Sequence, residues 1–491
     1  MPEHEMRSSA SCYFRLLLLL IMLGAGVKSS NAQTIDNTVH AQRPNMVIIM
    51  ADDLGYRDLS CYGCIDFETP NIDELARRGV RCTDSYVSHP YCSPSRAGLL
   101  TGQYQQSFGH ESNPPYDEAN TRIGIDTDTR LLPSLLQDAG YQTGLLGKWH
   151  LGAGPPFRPA VRGFSHFYGF LGGGHDYFNT KPNGKNYNSP IWRDHEPTTA
   201  KLTYLTDDLT TAAERFIETH RDHPFCLLLM YNAPHAPDQV TDEYMRRVNS
   251  IKHPGRRKYA ALVQGVDEGV KRITQKLDSL QLTKSTLVVF LSDNGGRRAV
   301  SDNRPLRGNK GWLHEGGIRV PLILSMPGTL PEGEVYRQPV LAIDLLPTAM
   351  RLANLNIPER CDGVDLFPFL MSDKTEPPHA SLFWRVSGGE GYAIRSGHWK
   401  LVHDIGMAQP ALYDLATDVG ENHDLSNTQP RVLAELERKY LAWHKTRQTP
   451  RWQDAHIKNT RSERKVSEQA GTRQFPMPWI NSGTARPANQ K

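Results

Sequence analysis

Carboxylate and amide side chains follow two short apolar runs, and their chemistry is that of a site for a hard metal ion. MVIIM runs through Ala51 into Asp52 and Asp53, and TLVVFL runs through Ser292 into Asp293 and Asn294. Adjacent acids at the end of a buried strand are costly unless a cation compensates them. Oxygen donors suit Ca²⁺ or Mg²⁺ and not a thiophilic metal. One Asp-Asn-Gly alone is more often a turn, but two clusters at matching strand ends favour a metal site.

A second set of residues supplies cations and imidazoles. Lys148 and His150 are two residues apart in LLGKWHLG, so strand alternation would aim both side chains the same way. His235 lies between prolines in NAPHAP, which restrict its backbone. Lys310 belongs to the glycine-rich PLRGNKGWLHEGG. Together they suit an anionic substrate and a proton transfer, although each residue alone could be an ordinary surface or strand-end group.

The segment YCSPSRAGLLTG places Cys92 just ahead of a predicted helix start, with Ser93 as N-cap and Pro94 in the first helical position. Arg96 lies one turn into that helix, whose N-terminus would attract anions. A cysteine here could be a thiolate nucleophile, as in cysteine-dependent phosphatases. Such phosphatases need a longer loop between cysteine and arginine, which this sequence lacks.

The elements that must position these residues follow from the hydrophobic pattern. The apolar runs MVIIM, FCLLLMY and TLVVFL each end in a polar cluster, and helical patterns such as NIDELARRG and YAALVQGVDEGVKRITQKLDSL separate them. This alternation predicts an α/β fold with a large, mixed, mostly parallel sheet flanked by helices. Ligands bind beyond the carboxyl ends of such strands, so the clusters should meet there. Past residue 355, ASLFWRV, GYAIRSG, HWKLVHD and RVLAELERKYLAWHK predict a smaller α+β subdomain with an antiparallel sheet.

The chain has 491 residues, and its termini differ in composition from the rest. Residues 1–32 are typical of a signal peptide, with an apolar stretch too short for a membrane span. We therefore expect a secreted or periplasmic protein without stable membrane insertion; an uncleaved anchor is the alternative. Residues 451–491 form a basic tail, either disordered or extended over the surface. The net charge of +3 comes from scattered residues and gives no case for nucleic-acid binding.

The cysteines outside the leader are too few for a disulfide framework. Cys61 and Cys64 form a C-x-x-C without a second pair, so a zinc ribbon is not supported. Whether these two form a disulfide stays open. Cys226 lies in an apolar run and is expected to be a buried small hydrophobe.

Several motifs resemble those of the type I sulfatases. CSPSRAGLLTG and GKWHLG match the two sulfatase signatures, and ADDLGYRDLSCYG, TPNIDELARRGV, APHAP, SDNGG and LYDLATDVGENHDL follow in the family's order over residues 43–445. NAPHAP and DNRPLRGNKGWLHEGG are most similar to arylsulfatase B, within the arylsulfatase A and B group. The resemblance implies an alkaline-phosphatase-like fold, with residues 43–355 as the catalytic domain and 356–450 as the C-terminal subdomain. It also implies a sulfuric ester hydrolase.

In that family the cysteine at the position of Cys92 is oxidised to formylglycine (3-oxoalanine). Its hydrate, a gem-diol, is the nucleophile that forms a covalent sulfo-enzyme intermediate. The resemblance implies Ca²⁺ ligands at Asp52, Asp53, Asp293, Asn294 and the modified Cys92, with Mg²⁺ as an alternative ion. It further implies that Arg96 and Lys148 support the diol, that His150 serves its second hydroxyl, and that His235 and Lys310 hold the sulfate and assist the leaving group.

The implied partners are a sulfated carbohydrate or aryl sulfate as substrate, and a formylglycine-generating enzyme or anaerobic maturase during maturation. One alternative is a phosphate or phosphonate ester hydrolase on the same scaffold. Another is a glycan-binding protein that has lost turnover, which is disfavoured because every position that the mechanism needs is filled. The variable segment LGGGHDYFNTKPNGKNYNSPIW is expected to shape the substrate pocket.

Overall fold

The computed structural model describes residues 43–180, 189–372, 374 and 376–453. The predicted signal peptide, residues 181–188 of the variable segment and residues 454–491 of the predicted tail lie outside these ranges. The strands are β1 Asn45–Ala51, β2 Val80–Cys82, β3 Ser85–Tyr86, β4 Gln142–Lys148, β5 His166–Phe170, β6 Trp192–Arg193, β7 Glu196–Pro197, β8 Phe225–Met230, β9 Thr286–Ser292, β10 Leu322–Ser325, β11 Glu334–Tyr336, β12 Val340–Leu341, β13 Leu382–Val386, β14 Gly391–Ser396, β15 Trp399–His403 and β16 Ala411–Asp414. The α-helices are α1 Pro70–Arg77, α2 Cys92–Thr101, α3 Leu132–Asp138, α4 Leu205–Thr219, α5 Asp242–Arg247, α6 Pro254–Ser279, α7 Glu315–Ile318, α8 Leu345–Leu352, α9 Phe367–Leu370 and α10 Pro430–His444.

Within the described ranges, ten strands form one sheet in the order β11-β2-β10-β9-β1-β8-β4-β5-β6-β7. Strands β9, β1, β8, β4 and β5 run parallel to one another, whereas β10 and β6 are antiparallel to their neighbours β9 and β5. The three apolar runs of the sequence become β1, β8 and β9, which are adjacent in this sheet. The predicted large, mixed, mostly parallel sheet is confirmed.

Strand β1 is apolar on both faces, because helices cover the sheet on both sides. Met46, Ile48 and Met50 pack in a hydrophobic cluster with residues of α2, α3 and α8. Val47 and Ile49 pack in another cluster, with residues of α1, α4 and α6. Strands that are buried on both faces are continuous apolar runs for this reason. The sheet is thus the middle layer between two layers of helices.

The C-terminal part of the described chain contains a smaller antiparallel sheet, β13-β14-β15-β16. Helix α10 packs against it, with the ring of Tyr440 stacked on Tyr392 at 4.3 Å between centroids. Trp384 and Leu401 lie in the core between them. The predicted antiparallel C-terminal sheet is confirmed. Among the described helices, none combines the length and the apolar character that crossing a bilayer requires.

A buried ion network supports the loop that follows β1. The Arg256 side chain is 1% exposed, and its guanidinium contacts Asp58 at 2.6 Å and Asp66 at 2.9 Å. Tyr259 donates a hydrogen bond to Asp58 Oδ2 (2.8 Å) and accepts one from the backbone N–H of Gly55 (3.0 Å). The network therefore connects helix α6 to the chain just after Asp53.

We expect Arg256→Ala to lower the free energy of unfolding by about 3–5 kcal/mol, because it leaves the buried carboxylate of Asp58 without its cation. Urea denaturation of the folded protein measures this loss. Lys258→Ala, at an exposed position on the same helix, is the control and should change stability by less than about 0.5 kcal/mol. Equal stabilities of the two variants would contradict the structural role of the network.

Candidate active site

The polar residues predicted to act together follow the carboxyl ends of neighbouring strands. Asp52 and Asp53 follow β1, and Asp293 follows β9 on one side of it. Strand β8 lies on the other side of β1 and is followed by the loop that carries His235. Strand β4, beside β8, ends at Lys148. Parallel pairing thus delivers side chains from four strands to one edge of the sheet.

Asp52, Asp53, Asp293 and Cys92 offer ligand atoms that lie within 4.8 Å of one another. All four side chains are buried, with Asp52 and Asp293 at 0% exposure. The backbone N–H of Asp53 donates to Asp293 Oδ1 at 3.2 Å. Asp53 has φ of 68°, a left-handed conformation that is uncommon outside glycine and is concentrated at functional sites. These four residues could hold a metal ion.

The donor set fits a hard divalent cation. Burial, followed by the charge of Asp52, raises the pKa of Asp293 to about 6, so the carboxylates repel one another unless a cation joins them. The amide of Asn294 donates to Asp53 Oδ1 at 2.8 Å. The Oδ1 atom of Asn294 is buried and has no hydrogen-bond partner among the described residues. An unpartnered buried oxygen beside three carboxylates is the arrangement that a cation satisfies.

Each carboxylate also has a basic side chain as its nearest ion-pair partner. The pairs are Lys148 Nζ with Asp52 Oδ2 at 2.5 Å, Arg96 Nη2 with Asp293 Oδ2 at 2.8 Å, and Lys310 Nζ with Asp53 Oδ1 at 2.7 Å. Burial alone would raise the pKa of Asp53, but Lys310 and His235 outweigh it and hold that pKa below its usual value. The three acids are balanced by three cations, so a divalent ion would leave the site with net positive charge.

Cys92 is the first residue of helix α2, with Tyr91 as N-cap. The predicted N-cap at Ser93 and the predicted first helical position of Pro94 are therefore wrong. Instead, Asn113 accepts a hydrogen bond from the backbone N–H of Ser93 at 3.1 Å, and Ser93 Oγ lies 2.7 Å from His110 Nε2. The helix begins earlier because a side chain twenty residues further along satisfies its first turn.

The thiol of Cys92 lies 3.6 Å from Asp52 Oδ1 and is 2% exposed. Burial raises the pKa of this thiol to about 12, in spite of Lys148 and Lys310 nearby. The thiol is therefore protonated at neutral pH, and a thiolate nucleophile is disfavoured.

His150 lies two residues beyond Lys148, the last residue of β4, with φ of 60°. Its direction is thus set by a left-handed backbone rather than by strand alternation. The ring packs over Gly173, where a Cβ would lie 2.8 Å from His150 Nε2. Trp149 is 1% exposed and packs in the core. Burial, then Lys148 and Arg96, keeps the pKa of His150 well below its usual value, so the ring is neutral.

Both the imidazole ring and the backbone carbonyl of His235 make hydrogen bonds within the site. The Nδ1 atom of His235 lies 2.7 Å from the carbonyl oxygen of Ala236. The hydroxyl of Tyr177 donates a hydrogen bond to the backbone carbonyl of His235 at 2.9 Å. The Nε2 atom lies 3.6 Å from Asp53 Oδ2. Burial lowers the pKa of His235 to about 3, although Asp53 opposes this shift.

Sequence reasoning missed His110, Asn113 and Tyr177, which contact the predicted site residues. They belong to loops without periodic pattern, and their contacts span 17, 20 and 58 residues of chain. Tyr177 lies in the variable segment expected to shape the pocket. The open question about Cys61 and Cys64 is answered, because both are free, as are the other four cysteines of the described ranges.

Comparison with protein families gives two matches. A sulfatase family model matches residues 44–355, and the model for the C-terminal part of N-sulphoglucosamine sulphohydrolase matches residues 308–445. N-acetylgalactosamine-6-sulfatase from Sus scrofa is 33% identical over 397 residues, which are 75% of this chain and 72% of that protein. Arylsulfatase A from Homo sapiens is 31% identical over 460 residues, 82% of this chain and 88% of that protein.

Solved structures agree. The crystal structure of Ps i-CgsB has a TM-score of 0.79 and 35% identity, covering 88% of this chain and 99% of that one. The phosphonate monoester hydrolase of Agrobacterium radiobacter shares the fold, with a TM-score of 0.61 and 22% identity over 82% of this chain and 96% of that one. The chain belongs to the sulfatase family, with an alkaline-phosphatase-like fold, and is a sulfuric ester hydrolase.

Proposed function

We propose that this sulfatase hydrolyses sulfate monoesters of carbohydrates, using Cys92 after its oxidation to formylglycine. The observation that carries the proposal is the position of Cys92 among three buried carboxylates, each paired with a basic side chain. The carbohydrate class is supported by relatives named for N-acetylgalactosamine-6-sulfate chemistry and by a structural relative crystallised with k-i-k-neocarrahexaose, 35% identical to this chain.

Conversion of Cys92 removes a chemical mismatch in the cluster. A protonated thiol is a poor ligand for a hard cation, whereas the surrounding donors are all oxygens. The conversion is a two-electron oxidation of Cβ in which the C–S bond breaks, the sulfur leaves as sulfide and water supplies the aldehyde oxygen. A separate formylglycine-generating enzyme or anaerobic maturase would carry it out, and its oxidant would take up the two electrons. The hydrated aldehyde would supply an oxygen nucleophile at the N-terminus of α2.

We propose Asp52, Asp53, Asp293 and Asn294 as ligands of Ca²⁺, with Mg²⁺ as an alternative. The ion would neutralise charge on the sulfate ester and favour the ionised form of a bound hydroxyl. The orphaned Asn294 Oδ1 and the raised pKa of Asp293 support this assignment.

The remaining site residues are assigned by what surrounds them. Arg96 and Lys148 are buried and paired with Asp293 and Asp52, respectively. Both carboxylates lie beside Cys92, so the two cations would stabilise negative charge that develops at the nucleophile. The neutral ring of His150 is suited to accept a proton during release of sulfate.

His235 and Lys310 meet at Asp53 on another side of the cluster. The Lys310 side chain is 21% exposed, more than Arg96, Lys148 or His235, so it is the basic side chain that a sulfate arriving from solvent would contact first. The carbonyl of Ala236 keeps a proton on His235 Nδ1, so a proton delivered to the leaving oxygen must come from Nε2. An anionic substrate favours the doubly protonated ring that can make this transfer.

The proposal includes export, cleavage of residues 1–32, a catalytic domain over 43–355 and a C-terminal subdomain over 356–450. A phosphate or phosphonate ester hydrolase is the second candidate, since the phosphonate monoester hydrolase neighbour has the same fold.

Turnover of matched aryl esters separates these two functions. We expect kcat/KM for an aryl sulfate to exceed that for the corresponding aryl phosphate by at least about 100-fold, a difference of about 3 kcal/mol in transition-state stabilisation. The same preparation should carry formylglycine at position 92, measured by mass spectrometry of the peptide. A preference for the phosphate ester would favour the second candidate, and an inactive protein with an unmodified thiol would favour a binding protein.

A further inference from the structure

The chain after helix α10 lies along the loop that follows the catalytic helix α2. The N–H of Gln448 donates to the carbonyl of Gln106 at 3.0 Å, and that of Arg451 donates to the carbonyl of Gly109 at 2.9 Å. Gly109 has φ of 70°, and a Cβ there would lie 2.6 Å from the carbonyl oxygen of Thr449. Residues 446–452, which we call the C-terminal strap, are therefore closely fitted to this loop.

Trp452 is the last large side chain of the strap in the described ranges. It is 9% exposed, and its Nε1–H donates to the carbonyl of Asn113 at 3.3 Å. Its ring meets the ring of His110 edge to face, with centroids 4.7 Å apart. One tryptophan thus contacts two loop residues at once.

The same two residues hold Ser93, the neighbour of Cys92. Asn113 accepts from the Ser93 N–H, and His110 Nε2 lies 2.7 Å from Ser93 Oγ. The buried Nδ1 of His110 has no hydrogen-bond partner among the described residues, so Ser93 is the polar contact of this ring. The rings of Trp452 and Phe108 pack edge to face against it, with centroids 4.7 Å and 6.4 Å away. The sequence of contacts runs from Trp452 through His110 and Asn113 to Ser93.

We propose that Trp452 is a positioning residue for the reaction, acting through His110 and Asn113 on the first turn of α2. The proposal rests on the proposed role of Cys92. Both family models end at or before residue 445, so the strap lies outside the residues that they match. Displacing a nucleophile by about 1 Å can lower the reaction rate by up to about 100-fold. An indirect contact that keeps the nucleophile in place can therefore have a large effect on kcat.

Steady-state kinetics of full-length Trp452→Ala on an aryl sulfate test the proposal, with kcat expressed per formylglycine at position 92. We expect kcat to fall about 10-fold while KM changes less than about twofold, because alignment and not substrate binding is lost. Trp452→Phe keeps a ring against His110 and should recover most of the rate. The control is Trp399→Ala, which removes a half-buried tryptophan of the C-terminal sheet and should leave kcat per formylglycine unchanged.

A double-mutant cycle connects the effect to the loop. His110→Ala should lower kcat by itself, and the double variant should lose less than the two single losses combined, since both changes remove the contact between His110 and Trp452. Additive losses, or a Trp452→Ala enzyme with the kcat of Trp399→Ala, would overturn the positioning role and leave the proposed function intact. An active wild-type enzyme with an unmodified Cys92 would overturn both.

Discussion

Cys92→Ala should abolish sulfate ester hydrolysis and leave the protein folded. The substitution removes the thiol that is needed to convert Cβ to the aldehyde, so the nucleophilic oxygen of the hydrate never forms, and no neighbouring side chain of the described site can replace it. We expect a loss in kcat on the order of 10⁴-fold or more, typical of removing a covalent nucleophile. Stability should change by only about 1–2 kcal/mol, because a single buried sulfur is lost. Sulfate release and thermal unfolding measure the two effects.

Cys226→Ala is the matched control, since Cys226 is also a buried cysteine but lies within β8. It should retain wild-type kcat at a similar cost in stability. If Cys92→Ala kept even a tenth of the wild-type rate, the assigned nucleophile would be wrong. If both variants lost activity together with their folded structure, the loss would report unfolding, and mass spectrometry of the wild-type Cys92 peptide would decide the assignment.

Removing the metal should have the second largest effect. Three buried carboxylates within a few ångströms of one another repel, and the pKa of Asp293 is already raised to about 6 by burial and Asp52. We expect treatment with a chelator to stop hydrolysis and to lower Tm, and Ca²⁺ to restore both. At a Ca²⁺ concentration 100 times Kd, binding stabilises the folded state by about 3 kcal/mol.

Asp293→Asn tests the same site without changing its shape. The amide lacks the negative charge that attracts the ion, so the Ca²⁺-dependent rise in Tm should disappear and hydrolysis should fall at least about 100-fold. Asp278→Asn, at a half-exposed carboxylate paired with Arg78, should keep the full Ca²⁺ response. A chelated wild-type enzyme at full activity, or an unchanged Ca²⁺ response in Asp293→Asn, would refute the metal assignment.

The sequence alone was sufficient to predict the sheet and the polar residues that lie at the carboxyl ends of its strands. Runs such as MVIIM and TLVVFL are apolar throughout because both faces of a parallel strand are buried. The polar residues that follow them must then lie at one edge, whatever the loops do. That is why Asp52, Asp53 and Asp293 were predicted to meet, and in the structure their carboxylate oxygens lie within 4.8 Å of one another.

Other features of the site depended on contacts between distant parts of the chain. The start of α2 at Cys92 is set by Asn113 and not by the Ser93 cap that the local pattern favoured. The direction of His150 comes from a left-handed backbone, which a strand pattern does not contain.

The position of the strap could not be predicted from the sequence either. Residues 451 onward are polar and aperiodic, a pattern that fits a disordered tail as well as a segment extended over the surface. The position of Trp452 depends on its contacts with His110 and Asn113, which lie beside the first turn of α2. Strand patterns are local in the sequence and can be predicted from it. The helix start and the strap are decided by contacts that the local pattern does not contain, between residues 20 positions apart for Ser93 and Asn113 and 339 apart for Asn113 and Trp452.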